Sequence, residues 1–316
     1  MNEIVSVLLA PGTLAQMLRS ATPVALAAMG GAMTEHAGIM NIGMDGMILM
    51  GAFFAVLGSF LFGAASAGML LTLGVGVLVG LLFGLLVVKL HSDEFIIGCA
   101  LNTFALGLTG YLSDSIFGPT GAKGNPALPV LELPLLKDVP YVGNVLSGHS
   151  ALFYIMLLLV VLCWLFVYKT PQGFWLRAAG EKPETLRTAG IDPAKLKWTA
   201  SILCGLFCAL AGADLSVGQL SGTFAKGMSN SRGYIAFACV IFASAHPGKA
   251  FLAALMFGYF DAVGIRLQRY VSADLTSMIP YLITVLMMIY VVVSRRRRYL
   301  HRTNPLKAPI GQKQPK

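Results

Sequence analysis

Residues 151–213 read ALFYIMLLLVVLCWLFVY, then KTPQGFWLRAAGEKPETLRTAGIDPAKLK, then WTASILCGLFCALAGA. The first and last runs carry no charge, while the middle one holds Lys169, Arg177, Lys182, Arg187, Lys195 and Lys197. A hydrocarbon core roughly 30 Å thick is crossed by about 20 apolar residues in a helix. The stretch therefore reads as two membrane helices joined by residues 169–197. Clustered Lys and Arg resist translocation, which puts this loop on the cytoplasmic side. It is also ordered: Pro183 suits the first position of a helix, Glu184 its first turn and Gly190 a left-handed stop. A short surface helix held between two spans offers a handle to a soluble partner.

Working outward, the same pattern covers the chain. Of 316 residues, 56% are hydrophobic and 12% charged, and the mean hydropathy is +0.75. Soluble domains carry roughly a quarter charged residues, so an ordinary soluble enzyme is excluded. The fold class follows as all-α, a polytopic transmembrane helix bundle forming one domain over 1–316. Nine spans are expected, near 13–33, 42–62, 67–89, 95–113, 151–168, 198–217, 233–246, 249–266 and 278–294. The last two before the final span are separated only by His246-Pro247-Gly248, which points to short or tilted helices. A glycine-rich break at 36–46 makes the number ten if it is re-entrant.

Parity checks the orientation. Four spans separate the basic loop from the basic tail at 295–316, so loop and tail share the cytoplasmic side. Residues 114–150 then fall outside; they contain Pro119, Pro126, Pro129, Pro134 and Pro140, with Lys123 and Lys137 as their only Lys or Arg residues. Nine spans leave the N-terminus outside, and ten bring it in. The opening MNEIVSVLLAPG lacks the basic region of a secretory signal and is expected to be retained.

Of the 23 basic residues, 14 lie in the loop or the tail, and the net charge is +9. Arg295, Arg296, Arg297 and Arg298 directly follow a span, where they meet anionic lipid headgroups rather than nucleic acid. Cys99, Cys163, Cys204, Cys208 and Cys239 all fall in apolar runs. Cys204 and Cys208 are a turn apart with no histidine or carboxylate beside them, so they read as small hydrophobes and not as a metal site. Gly76, Gly80 and Gly84 recur every fourth residue, a pattern that lets a neighbouring helix approach closely.

Few polar groups interrupt the apolar spans, and these are the candidates for chemistry. Glu35, His36, Asn41, Gly43, Asp45 and Gly46 cluster within one short segment. Unwound backbone at membrane depth must be buried in protein or line a wet path; the other reading is a hydrated turn at the surface. Asp261, in GYFDAVG at 258–264, is either an ion-coupling carboxylate or a partner of Arg266 or Arg232. Asn102, inside a charge-free span, bonds either a polar solute or a neighbouring helix. AGIMNIG at 37–43 and AGADLSVG at 211–218 share small residues and one polar group, a faint sign of an internal repeat. No phosphate-binding loop, zinc-binding H-E-x-x-H or nucleophile elbow occurs, and no cofactor is indicated. Any ATP used must be hydrolysed by another chain.

Four stretches together carry a resemblance to a known family: 37–51 (AGIMNIGMDGMILMG), 93–109 (DEFIIGCALNTFALGLT), 170–191 (TPQGFWLRAAGEKPETLRTAGI) and 222–242 (GTFAKGMSNSRGYIAFACVIF). The chain resembles the membrane permease of bacterial ABC importers for simple sugars, branched-chain amino acids and nucleosides. Within that group it is most similar to the nucleoside-type permeases that work with a basic-membrane-lipoprotein receptor. The resemblance implies a multi-pass subunit of the bacterial cell membrane. Its implied partners are a cytoplasmic ABC ATPase, a second permease, identical or homologous, and an extracytoplasmic substrate-binding lipoprotein. It further implies that residues 177–190 dock on the ATPase, with Arg177, Gly180, Glu181, Pro183, Leu186, Ala189 and Gly190 as the coupling positions. Asn41, Gly43, Asp45, Gly46 and Asn102 are implied to lie near the solute path. The sequence departs from the family at Asp45, where Glu is usual, and at Lys182, where Asn is usual. Ser231 stands before Arg232 and Ala243 after Phe242, where the family often has another small residue and a glycine. The resemblance assigns no role to Asp214 or Asp261. The expected function is transport of a nucleoside, or less readily a sugar, driven by ATP; the alternative is an ion-coupled secondary transporter using Asp261 or Asp45.

Overall fold

A computed structural model describes residues 11–122, 124–131 and 145–268, with isolated positions between 278 and 293. In chain order the helices are α1 (Pro11–His36), α2 (Met44–Phe62), α3 (Ala65–Gly84), α4 (Glu94–Phe117), α5 (Ala151–Lys169) and α6 (Pro171–Glu181). Then come α7 (Pro183–Thr188), α8 (Pro193–Ala213), α9 (Arg232–Ala243) and α10 (Pro247–Leu267). Wider π turns prolong α3 through Leu85–Lys89 and α8 through Asp214–Gln219. One antiparallel pair, β1 (Val130–Leu131) with β2 (His149–Ser150), ties the loop before α5 to itself. The expected span at 278–294 and the arginines of the tail lie outside the described residues or among the isolated positions.

Local chemistry sets the helix ends. Pro171, Pro183, Pro193 and Pro247 each open a helix, where the missing N–H has no partner to lose. Asp93 accepts the Phe95 and Ile96 amides at 2.9 and 3.0 Å and starts α4. Asp192 accepts the Ala194 amide and starts α8. Two helices stop in the same way. After α1, Gly38 lies at φ +73, with the Ile39 amide donating to the Thr34 carbonyl. After α7, Gly190 lies at φ +78, with the Ile191 amide donating to the Leu186 carbonyl. This is the doubly bonded glycine stop that the sequence of α7 predicts.

Among the described residues, six helices are long and apolar enough to cross a membrane: α2, α3 with its π turn, α4, α5, α8 with its π turn, and α10. Helix α1 is longer than most of them but rich in Ala, Gly and Thr, and every residue from 20 to 34 is buried. A helix enclosed on all sides belongs at the centre of a bundle. α10 and α8 pack along it, and α3 packs against α8 through the glycine stripe. A Cβ at Gly76 or Gly80 would come within 2.8 Å of the Gly205 carbonyl or 2.6 Å of the Ser201 carbonyl. In lipid, where helix association rests on close packing rather than on the hydrophobic effect, such contacts hold the bundle together. α4 is the opposite case, with only the face along Gly98, Leu101, Ala105, Thr109 and Ser113 buried.

The contacts define two ends. At one end, Arg19 donates to the Gly148 carbonyl at 3.0 Å, Gln219 to the Arg19 carbonyl at 2.8 Å, and Lys226 pairs with Asp114 at 2.6 Å. At the other, the rings of His36, Tyr168 and His246 meet beside α6. α1 runs from the first end to the second as one unbroken helix, and residues 37–43 then turn the chain back into α2. Within the expected break at 36–46, residues 37–43 are unwound, as the glycines suggest, but they reverse the chain and add no span. A broken span lies elsewhere. From Gln219 the chain dips back through irregular residues 220–231, and only then does α9 carry it to the second end. With 12 residues, α9 is about 18 Å long, roughly half a span, which explains why the stretch near 233–246 reads short. Residues 211–218 stay helical while 37–43 do not, so the suspected repeat has no structural counterpart.

Candidate functional site

The link after α1 sets the first side chain. Asn41 is buried at 2% exposure. Its carboxamide oxygen accepts the Gly43 amide at 2.9 Å, and its nitrogen faces Cys204 Sγ at 3.2 Å and Met47 Sδ at 3.6 Å. The side chain thus stands in for the regular backbone partner that the unwound link lacks. Asn102, on α4, bonds across two segments. Its oxygen accepts the Gly46 amide at 2.7 Å, and its nitrogen donates to the Ile42 carbonyl at 3.0 Å and to the Tyr234 hydroxyl at 2.9 Å.

Asp45 completes the cluster. One carboxylate oxygen accepts the Gly233 amide at 3.0 Å and the other accepts the Ser229 hydroxyl at 3.0 Å. Gly233 is in the first turn of α9, so a negative charge sits where the unpaired amides and the helix dipole favour one. The approach is close enough that a Cβ at Gly233 would overlap the Asp45 backbone. Asp45 is therefore an inward-facing cap on a half-length helix, not a hydrated group at a surface turn. Asn41, Gly43, Asp45, Gly46 and Asn102 form one connected site where the link, α2, α4 and α9 meet.

Asp261 does not join it. It lies half-buried on α10, with no hydrogen bond or ion pair to Asn41, Asp45 or Asn102 among the described residues, and none to Arg266 or Arg232. Arg232 instead donates to the Met228 and Ser229 carbonyls.

Sequence reasoning missed Ser229, Gly233 and Tyr234 as members of the cluster, and it missed Asp214. That carboxylate is fully buried in the π turn after α8 and accepts Ser150 Oγ at 2.7 Å and Gln219 Nε2 at 2.6 Å. A lone Asp beside a serine and a glutamine in an otherwise apolar stretch was the available signal. Above it, Arg19, His149, Ser150 and Gln219 line a cavity of about 130 Å³. Burial pushes the His149 imidazole below its usual value, partly offset by its bond to the Val145 carbonyl, with the Arg19 charge adding to the lowering.

The positions expected to couple to an ATPase fall on two helices rather than one. Arg177, Gly180 and Glu181 are in α6, which the sequence reading leaves within the loop, and Pro183 and Leu186 are in α7. Ala189 and Gly190 close α7. Leu186 is buried while Glu184, Thr185, Arg187 and Thr188 are exposed, so α7 is pinned by one side chain and presents the rest. α6 is set deeper. The Arg177 guanidinium lies 5.0 Å from the centre of the Tyr168 ring, a cation–π contact. A Cβ on Gly180 would meet the His36 carbonyl and come within 2.8 Å of the Gly38 amide. The exposed basic segment thus touches the backbone that leads, three residues later, to Asn41.

The putative glucose ABC transporter permease protein TsgC13 of Haloferax volcanii is 34% identical over 272 residues, 82% of this chain and 78% of its own. The guanosine ABC transporter permease protein NupQ of Bacillus subtilis is 30% identical, covering 84% of this chain and 87% of its own. The nucleoside ABC transporter permease protein NupC of Lactococcus lactis is 29% identical over 87% of this chain and 90% of its own. No solved structure matches. Residues 13–289 match the family described as branched-chain amino acid transport system, permease component, and the chain belongs to that family of multi-pass membrane permeases.

Proposed function

We propose that this chain is the membrane subunit of an ATP-driven importer that passes a nucleoside, with a sugar as the less favoured solute. The contact between Gly180 and residues 36–38 is the observation that carries the reading. It gives an exposed segment at one end a direct mechanical connection to the polar cluster inside the bundle. In this reading α7 docks on a separate cytoplasmic ATPase, which hydrolyses the ATP, and α6 passes the movement to the link. The cluster around Asn41, Asp45 and Asn102 then borders the solute path, shared with a second permease. Because the basic residues 169–197 favour the cytoplasm, Pro11 and residues 114–150 face outside, where a binding lipoprotein delivers solute, and the tail faces inside.

The physics is a shift between two packings of the bundle, biased by a ligand bound to another subunit. Nucleoside ranks first because NupQ and NupC are named for guanosine and nucleosides. Asp45 is committed to capping α9, which weakens an ion-coupled mechanism through that carboxylate. Guanosine uptake by cells expressing the whole transporter tests the reading. Uptake persists in the presence of an ionophore and stops when ATP is depleted. The opposite pattern overturns the proposal.

A further inference from the structure

Hydrogen-bond accounting in the polar cluster leaves one donor over. Asn102 spends its nitrogen on Ile42 and Tyr234, Asn41 directs its nitrogen to Cys204 and Met47, and Ser229 spends its hydroxyl on Asp45. These side chains tie the link, α2, α4 and α9 to one another and have no donor to offer a solute. Tyr234 differs. Its hydroxyl oxygen accepts from Asn102, which fixes where the ring lies, while its hydroxyl hydrogen has no acceptor among the described residues. The residue is 43% exposed. It belongs to the first turn of the half-length helix α9, directly after irregular residues 220–231. Irregular backbone within a bilayer is tolerated where it is buried or lines a wet cavity, and the open ring of Tyr234 stands directly beside such backbone.

Resting on the nucleoside reading above, we propose that Tyr234 is a specificity-determining residue. Its ring face takes the planar base and its phenolic hydrogen is donated to a ring nitrogen or carbonyl of that base. An aromatic face suits any base, and the single placed donor separates bases by where their acceptors lie. Asn102 acts through Tyr234 as the positioning residue.

The test uses the complete transporter in proteoliposomes, measuring guanosine and uridine uptake at solute concentrations well below saturation. Tyr234→Ala lowers guanosine uptake about tenfold, within the range that base–aromatic stacking supplies, and changes the guanosine-to-uridine ratio. Tyr234→Phe keeps the ring, loses only a few-fold in rate, as one hydrogen bond allows, and also shifts the ratio. Tyr111→Phe, at an exposed tyrosine elsewhere on α4, leaves both uptakes unchanged. Equal losses for the two nucleosides would mean that Tyr234 only holds Asn102 in place, and unchanged uptake would mean that it does not meet solute; either overturns the proposal. Should Tyr234→Ala fail to assemble, an unchanged ratio in Tyr234→Phe overturns it alone. A wild-type transporter that moves neither nucleoside instead overturns the nucleoside reading on which the proposal stands.

Discussion

Gly38 and Gly190 end their helices by the same device and meet opposite surroundings. Both lie at left-handed φ, +73 and +78, and in each case the glycine amide donates to a carbonyl three residues back at 3.0 Å. A Cβ at Gly38 would come 2.9 Å from the Gly180 Cα, whereas a Cβ at Gly190 would meet nothing within 4 Å. One local code thus makes a packed joint in the first place and a free end in the second. The joint can pass force because it cannot yield, and the free end is open because nothing among the described residues covers it.

The largest effect belongs to Gly180→Val, which breaks the joint from its far side. The added carbons face the His36 carbonyl and the Gly38 amide, both backbone, so no rotamer change relieves them. Overpacking of this kind costs about 1–3 kcal/mol. The expected outcome is a lower unfolding temperature in detergent together with loss of uptake; wild-type values for both would show that α6 and the link are not tightly joined. Gly38→Ala comes next. It combines a milder form of the same contact with the left-handed backbone penalty of about 1–2 kcal/mol.

Much of this contrast is legible in the sequence, but only its local half. Pro183, Glu184 and Gly190 specify α7 by themselves, and the stripe Gly76, Gly80 and Gly84 announces a close helix contact without naming α8 as the partner. The glycines and Asn41 mark 37–43 as unwound. What was not legible depends on residues far apart in the chain. Asp45 and Gly233 are separated by 188 positions, and Asn102 and Tyr234 by 132. Hydropathy finds the apolar stretch of α9 but not that it starts partway through the bundle, because apolarity measures surroundings and not depth. Asp214 looks like an isolated charge until Ser150 and Gln219 are seen to satisfy it.

Gly190→Ala sharpens the comparison. It carries the same backbone penalty as Gly38→Ala, about 1–2 kcal/mol, with no collision, and the strain falls on a six-residue helix held by Leu186. The bundle should therefore unfold at the wild-type temperature while binding to the ATPase weakens and uptake falls. The difference in stability between Gly38→Ala and Gly190→Ala measures the joint itself. A shift in unfolding temperature as large at Gly190 as at Gly38 would mean that both effects are backbone strain and that the contact with Gly180 contributes nothing.

The smallest effect is expected at Glu184→Gln, on the same free end. Glu184 and Arg187 pair at 3.2 Å, but their side chains are 78% and 67% exposed. Exposed pairs on one helix contribute about 0.3–0.5 kcal/mol and are screened by salt. The isolated permease should unfold as the wild type does. Binding to the ATPase should change only at low ionic strength and return to the wild-type value as salt is added, because only a group open to solvent is screened in this way. A change in unfolding stability above about 1 kcal/mol would exceed what a solvated pair supplies. It would place α7 in a packed environment and remove the distinction between the joint and the free end.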